Sequence, residues 1–120
     1  MTTEPESARP LLSLSGYHLA AFQVVELSGD CDIATARALR DGLAQALDDP
    51  DRGLIVDMSR VSFRDGESAA TILVAGSGRR LAVVGVMCTM RRIFDILDPT
   101  EQAPRYRSVD VAAWSLSGLP

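Results

Sequence analysis

Two kinds of hydrophobic pattern alternate along the chain. Ala21–Ser28 (AFQVVELS), Leu54–Met58 (LIVDM) and Leu81–Val86 (LAVVGV) are short and almost continuously apolar. Their β-branched content and turn-forming borders predict strands. The lack of a polar alternate face predicts a parallel sheet buried on both sides. Leu11–Ser15 predicts a further short strand closed by Gly16, and Gly29 is expected to close the next one. In the second pattern apolar residues return every three or four positions, as one stripe of a helix requires. Ile33, Ala36, Leu39, Leu43, Ala46 and Leu47 form such a stripe, with Asp32 as N-cap and Pro50 as the stop. Met90, Ile93, Phe94 and Leu97 form another, with Thr89 as cap and Pro99 beyond its end. Ser68–Ala75 predicts a shorter helix ending at Gly76-Ser77-Gly78. Tyr106–Val109 predicts a last strand, and Val111–Leu116, with Trp114, a closing helical turn.

The order β-β-α-β-α-β-α-β predicts an α/β fold: one domain over residues 11–120, with a small, mostly parallel sheet covered by helices. Residues 1–10, with two Glu, two Pro and no apolar stretch, predict a mobile tail and no signal peptide. The 120 residues suit one domain, and the 47% hydrophobic content can fill a core without staples. No run is long enough to span a bilayer, so membrane insertion is not expected. Twelve basic against sixteen acidic residues give a formal charge of −4, which disfavours direct nucleic-acid binding. Cys31 and Cys88 are far apart and have no His nearby. Both are expected as buried thiols in a reducing cytoplasm, with no metal and no cofactor.

Candidate chemistry is sparse. His18 is the one histidine and is expected near a turn, which leaves a general base or a catalytic triad without support, so no enzyme is predicted. Gly76-Ser77-Gly78 closes a helix and precedes a strand, whereas a phosphate loop follows a strand and opens a helix; a C-cap and turn explain these glycines. Arg79-Arg80 and Arg91-Arg92 are expected as solvated charge. The segment Val61–Ser68 (VSFRDGES) is the more informative one. It is expected as a loop after a buried strand, where parallel sheets often place sites. Asp65 can cap the following helix, and Glu67 in its first turn is favoured by the helix dipole.

Three stretches in order resemble the STAS family of anti-sigma factor antagonists. Val24–Ala36 (VVELSGDCDIATA) resembles that family's entry of strand, Gly-Glu-Leu-Asp and helix, with Asp30 and Cys31 in place of Glu and Leu. Leu54–Asp65 (LIVDMSRVSFRD) resembles its strand followed by Asp-Leu-Ser and x-Val-x-Phe-x-Asp. Leu81–Val86 with Met90–Leu97 resembles its closing strand and helix.

The resemblance implies a domain that docks on a kinase-like anti-sigma factor and so regulates sigma-factor-dependent transcription. It places the docking surface at Arg64, Asp65, Gly66, Glu67 and Ser68, with Asp30, Asp32 and Thr35 beside it. Asp32 matches the family's motif aspartate near the regulatory loop. In the family a serine directly after the residue matching Asp65 is phosphorylated, and the added charge weakens the complex. Here that position is Gly66, which has no hydroxyl and lets a partner backbone approach closely. Three consequences stay open: a domain that always binds, a Glu67 that imitates phosphate, or phosphorylation of Ser68 instead. The resemblance also leaves room for an accessory or scaffold subunit of a transport or signalling complex.

Overall fold

The computed structural model describes residues 12–63 and 66–117. Strands β1 (Leu12–Leu19), β2 (Phe22–Cys31), β3 (Gly53–Phe63), β4 (Leu81–Val84) and β5 (Arg105–Tyr106) lie side by side in chain order. β1 and β2 form an antiparallel hairpin, and every later pairing is parallel. Helices α1 (Ala36–Ala46), α2 (Glu67–Ala75) and α3 (Cys88–Leu97) make the crossovers, and α4 (Val109–Leu116) follows β5. The expected α/β fold with a mostly parallel, helix-covered sheet is the one found.

Right-handed crossovers that always step to the next strand put their helices on one face. Leu39 and Leu43 of α1, Ala69 and Ile72 of α2, and Met90 and Phe94 of α3 accordingly pack in one cluster with Val25, Leu27, Val56 and Val83. The other face carries Phe22, Val24, Ile55, Ala82 and Val84 against Ala112 of α4. Four-residue β4 is therefore buried on both sides, as its unbroken LAVV predicts. Toward β1, the face shared with α4 turns polar and open, with Ser13, Ser15, Glu26 and Ser28 exposed.

Several boundaries depart from the sequence reading. β1 runs through Gly16 to Leu19, because pairing with β2 from Leu12↔Gly29 to Leu19↔Phe22 outweighs one glycine. β2 likewise passes Gly29, at φ +117°, and ends at Cys31. β3 continues through Val61-Ser62-Phe63, which the sequence reading takes for loop. Its register against β2 steps from Glu26↔Asp57 to Ser28↔Arg60, a bulge at exposed Ser59 and Arg60 that returns Val61 to the core face. Asp57 Oδ1 accepts from the Ser59 amide (3.0 Å) and hydroxyl (2.7 Å), which fixes the bend. β4 stops at Val84, since Gly85 takes φ +73° against Ser59.

Met87, not Thr89, holds the N-cap place of α3; the helix starts one residue before Thr89. Leu97 is 44% exposed although it falls on that helix's stripe, because α3 ends there and Asp98 turns inward instead. Cys31 is buried as expected, but Cys88, on the first turn of α3, is exposed. The last strand is the pair Arg105-Tyr106, and the closing turn is a two-turn helix whose first amides are capped by Ser108 Oγ, which accepts from the Val111 amide (3.2 Å). The expected tail over residues 1–10 lies outside the described residues.

Candidate functional site

The C-terminal edge of the parallel strands gathers the segments that the sequence reading singles out. After β2 the chain makes a 3₁₀ turn over Ile33–Thr35, closed by a capping box. The Asp32 carboxylate accepts from the Thr35 amide (3.2 Å), and the Thr35 hydroxyl accepts from the Asp32 amide (3.0 Å). The same hydroxyl donates to the Asp30 carbonyl (2.7 Å). Thr35 is thus buried and joins the last residues of β2 to the first turn of α1. Asp30 and Asp32 stay half-exposed.

Because the first turn is 3₁₀, at three residues per turn, Ile33 leaves the stripe of α1. It is 76% exposed, not buried as its spacing predicts. An apolar residue therefore stands beside Asp32 at the strand ends. The Asp-x-x-Thr pattern over 32–35 is a capping signal that could have placed it there.

After β3, α2 opens at Glu67 with Gly66 in the N-cap place, one residue later than the expected Asp65. Arg64 and Asp65 lie outside the described residues. Gly66 supplies no side-chain cap; its carbonyl accepts from the Ala70 amide (3.1 Å). A Cβ at position 66 would lie 3.4 Å from Ile93 Cγ2, so the start of α2 sits against α3. Gly66 is half-buried and Glu67 exposed, with its negative charge in the first turn. Ser68 points the other way and is 0% exposed. From Glu67 an open groove of about 610 Å³ runs between α1 and α2, lined by Arg40, Leu47, Ala70, Thr71 and the exposed Val74. After β4 the chain presents Met87, 67% exposed, which the sequence reading does not single out. Its signal was an apolar residue off the 90-93-94-97 stripe.

The structure thus brings Asp30, Asp32, Gly66 and Glu67 to one edge, adds Ile33 and Met87, and turns Thr35 and Ser68 inward. His18 is exposed near the end of β1, paired with Gln23, away from that edge. Gly76-Ser77-Gly78 closes α2, with the Gly76 amide donating to the Ile72 carbonyl (3.1 Å) and Gly78 at φ +85°. Among the described residues no three His, Cys, Asp or Glu side chains gather as a metal site, and no helix is long and apolar enough to cross a membrane. The edge offers hydrogen-bonding backbone, two half-exposed carboxylates and apolar contacts, which suits recognition of a protein surface.

An anti-sigma factor antagonist from Mycobacterium paratuberculosis has the same fold at 24% identity, with a TM-score of 0.72 over 88% of this chain and 94% of that one. An anti-sigma-factor antagonist (STAS) domain protein from Planctomyces limnophilus matches at 15% identity and TM-score 0.71, over 86% and 96%. The Bacillus cell fate determinant SpoIIAA in its phosphorylated form matches at 17% and 0.62, over 87% and 99%. A comparison with curated proteins gives no match. The sequence profile described as "Mlab, STAS domain" matches residues 18–100. That match spans more than half of the chain and includes β2, β3, β4 and the helices between them, and the chain therefore belongs to the STAS domain family.

Proposed function

We propose that this is a non-catalytic docking domain of the anti-sigma factor antagonist type, which acts in the cytoplasm by binding a kinase-like anti-sigma factor and thereby regulates sigma-factor-dependent transcription. One observation carries the reading: the start of α2, with Gly66 in the N-cap place, is presented at the same edge as half-exposed Asp30 and Asp32, exposed Ile33 and an open helix–helix groove. The docking surface comprises Asp30, Asp32, Ile33, Gly66 and Glu67, with Arg64 and Asp65 added on the resemblance of the sequence alone. Thr35 acts as a positioning residue that holds Asp30 and Asp32 in place.

Binding is constitutive in this reading. Position 66, where the resemblance puts the phosphoacceptor, has no hydroxyl. The Ser68 hydroxyl is buried, so a kinase reaches it only if α2 unwinds. Glu67 carries one charge, against about −1.5 to −2 and three acceptor oxygens for a phosphate. Glu67→Ala should leave partner binding within about twofold, the effect of one exposed charge. Binding that tightens well beyond that would identify Glu67 as a phosphate mimic.

The test is a pull-down of the tagged full chain from its native cytosol, with and without ATP, followed by intact-mass measurement. A kinase-like anti-sigma factor recovered in both conditions, with no phosphate mass on the domain, is the expected result. The lack of an accessible hydroxyl at 66 and 68 also supports a second reading, an accessory or scaffold subunit of a transport or signalling complex. Recovery of such subunits without a kinase-like protein would move the function there.

A further inference from the structure

Two arginine pairs look alike in the sequence and end differently in the fold. Arg79 donates to the carbonyls of Asp49 (3.1 Å) and Arg52 (2.9 Å). Arg80 lies over the Phe22 ring at 4.7 Å and donates to the Leu116 carbonyl (3.2 Å). Arg79 thus ties the loop before β3 to the start of β4, and Arg80 ties the end of α4 to it. Arg91 and Arg92, early in α3, are exposed and make no ion pair among the described residues. The crossover into β5 brings Arg107, also exposed and without an ion pair among the described residues, to the same edge.

Arg91 and Arg107 line one recess of about 190 Å³ together with Gly85, Val86, Arg105 and Tyr106. Among the described residues no carboxylate lines it. Arg105 is already engaged, by Asp95 (2.6 Å) and Asp98 (3.1 Å), which leaves Arg91 and Arg107 as the arginines of this recess without an ion pair among the described residues. The neighbouring recess, which Arg91 and Arg105 share with Arg92, is different, because Asp95 and Glu101 also line it.

We propose that the recess at Gly85, Arg91 and Arg107 is the seat for an acidic side chain of a protein partner, with Met87 as the apolar contact next to it. The proposal rests on the docking reading above and specifies the partner's chemistry. Two guanidinium groups on one concave surface match a carboxylate by paired N–H donors. The volume is below the roughly 300–1,000 Å³ of small-molecule pockets, so it admits one Asp or Glu side chain better than a nucleotide. The formal charge of −4 on the whole chain opposes a nucleic acid or an anionic bilayer, whereas a single protruding carboxylate meets only the local field. Methionine and arginine are also residues that protein interfaces favour.

The test titrates the ¹⁵N-labelled full chain, at low ionic strength, with an N-acetylated, C-amidated hexaglutamate peptide. Inorganic phosphate, ATP and a hexalysine peptide are run in parallel. The amides of Gly85, Val86, Arg91 and Arg107 should shift saturably with hexaglutamate alone, and added salt should weaken the effect. Arg91→Ala and Arg107→Ala should each lower the affinity about fivefold, and Arg92→Ala by less than about twofold. Shifts confined to other residues, equal losses for Arg92→Ala and Arg91→Ala, or tighter binding of phosphate or ATP at these amides would each overturn the proposal. Its failure is distinguishable from failure of the docking reading, because the pull-down captures a partner held through Ile33 and Gly66 whether or not this recess takes a carboxylate.

Discussion

Ala20 and Gly85 occupy the same unusual region of backbone space with opposite consequences. Ala20 sits in the two-residue turn between β1 and β2 at φ +53°, held by the Arg52 guanidinium, which donates to its carbonyl (2.8 Å). A left-handed backbone costs a non-glycine residue about 1–2 kcal/mol, and glycine returns about 0.4–1 kcal/mol of that through a freer unfolded chain. Ala20→Gly should therefore stabilise the domain by about 0.5–1 kcal/mol, read from the midpoint of a urea transition. At Gly85 a Cβ would stand 2.7 Å from Ser59 Cβ and 2.9 Å from Ser59 backbone atoms, at φ +73°. Gly85→Ala should cost about 2–3 kcal/mol in the same measurement. Neither position announces itself in the sequence. Gly85 lies inside the apolar run LAVVGV and reads as strand, because its constraint comes from a bulge in β3, a separate segment of chain.

At the scale of elements, the Asp32 cap was legible, whereas the caps expected at Asp65 and Thr89 and the ends of strands were not. The Asp32 cap follows from a short carboxylate ahead of an apolar stripe, a purely local relation. The same box removes Thr35 from any direct contact with a partner. Thr35→Val keeps the shape but deletes the hydrogen bonds of the hydroxyl, and should destabilise by about 1–3 kcal/mol. If Thr35 positions the Asp30–Asp32 edge, partner affinity should fall as well, with Thr35→Ser restoring it. The loop between α3 and β5 depends on Asp98, which is buried and accepts from the amides of Gln102 (2.8 Å) and Ala103 (2.9 Å) as well as from Arg105 (3.1 Å). Asp98→Ala strands those donors and should cost about 3–5 kcal/mol by thermal or urea unfolding. The sequence reading stops at Pro99 as a helix terminator and misses this role, because the partners of Asp98 lie four to seven residues ahead and meet it only when the loop closes.

For the whole molecule, placing three crossover helices on one face leaves the other face open toward β1. There Tyr17 is raised above its ordinary value of 10.0, first by burial, then by the negative charges of Glu26, Asp57 and Asp110. A phenol whose folded value is raised favours the neutral form in the fold. Its contribution is full below pH 10 and declines as pH rises from there through the folded value. Ultraviolet titration of a Tyr106→Phe variant, which isolates Tyr17, should show ionisation above the model phenol, and Glu26→Gln should lower it. The two thiols report on the two environments in the same way: one should react quickly with an aromatic disulfide reagent in the native state, Cys88, and two after unfolding. By itself the sequence determined the α/β class, the order of elements, the helical stripes and the missing hydroxyl at 66, since periodicity and side-chain type are local properties. The tertiary structure alone decided that Ser68 is sealed in the core and that Arg107 joins Arg91 at one recess. Each depends on where parallel strands bring distant segments, and register across a sheet is fixed by packing between them, not by the spacing within any one.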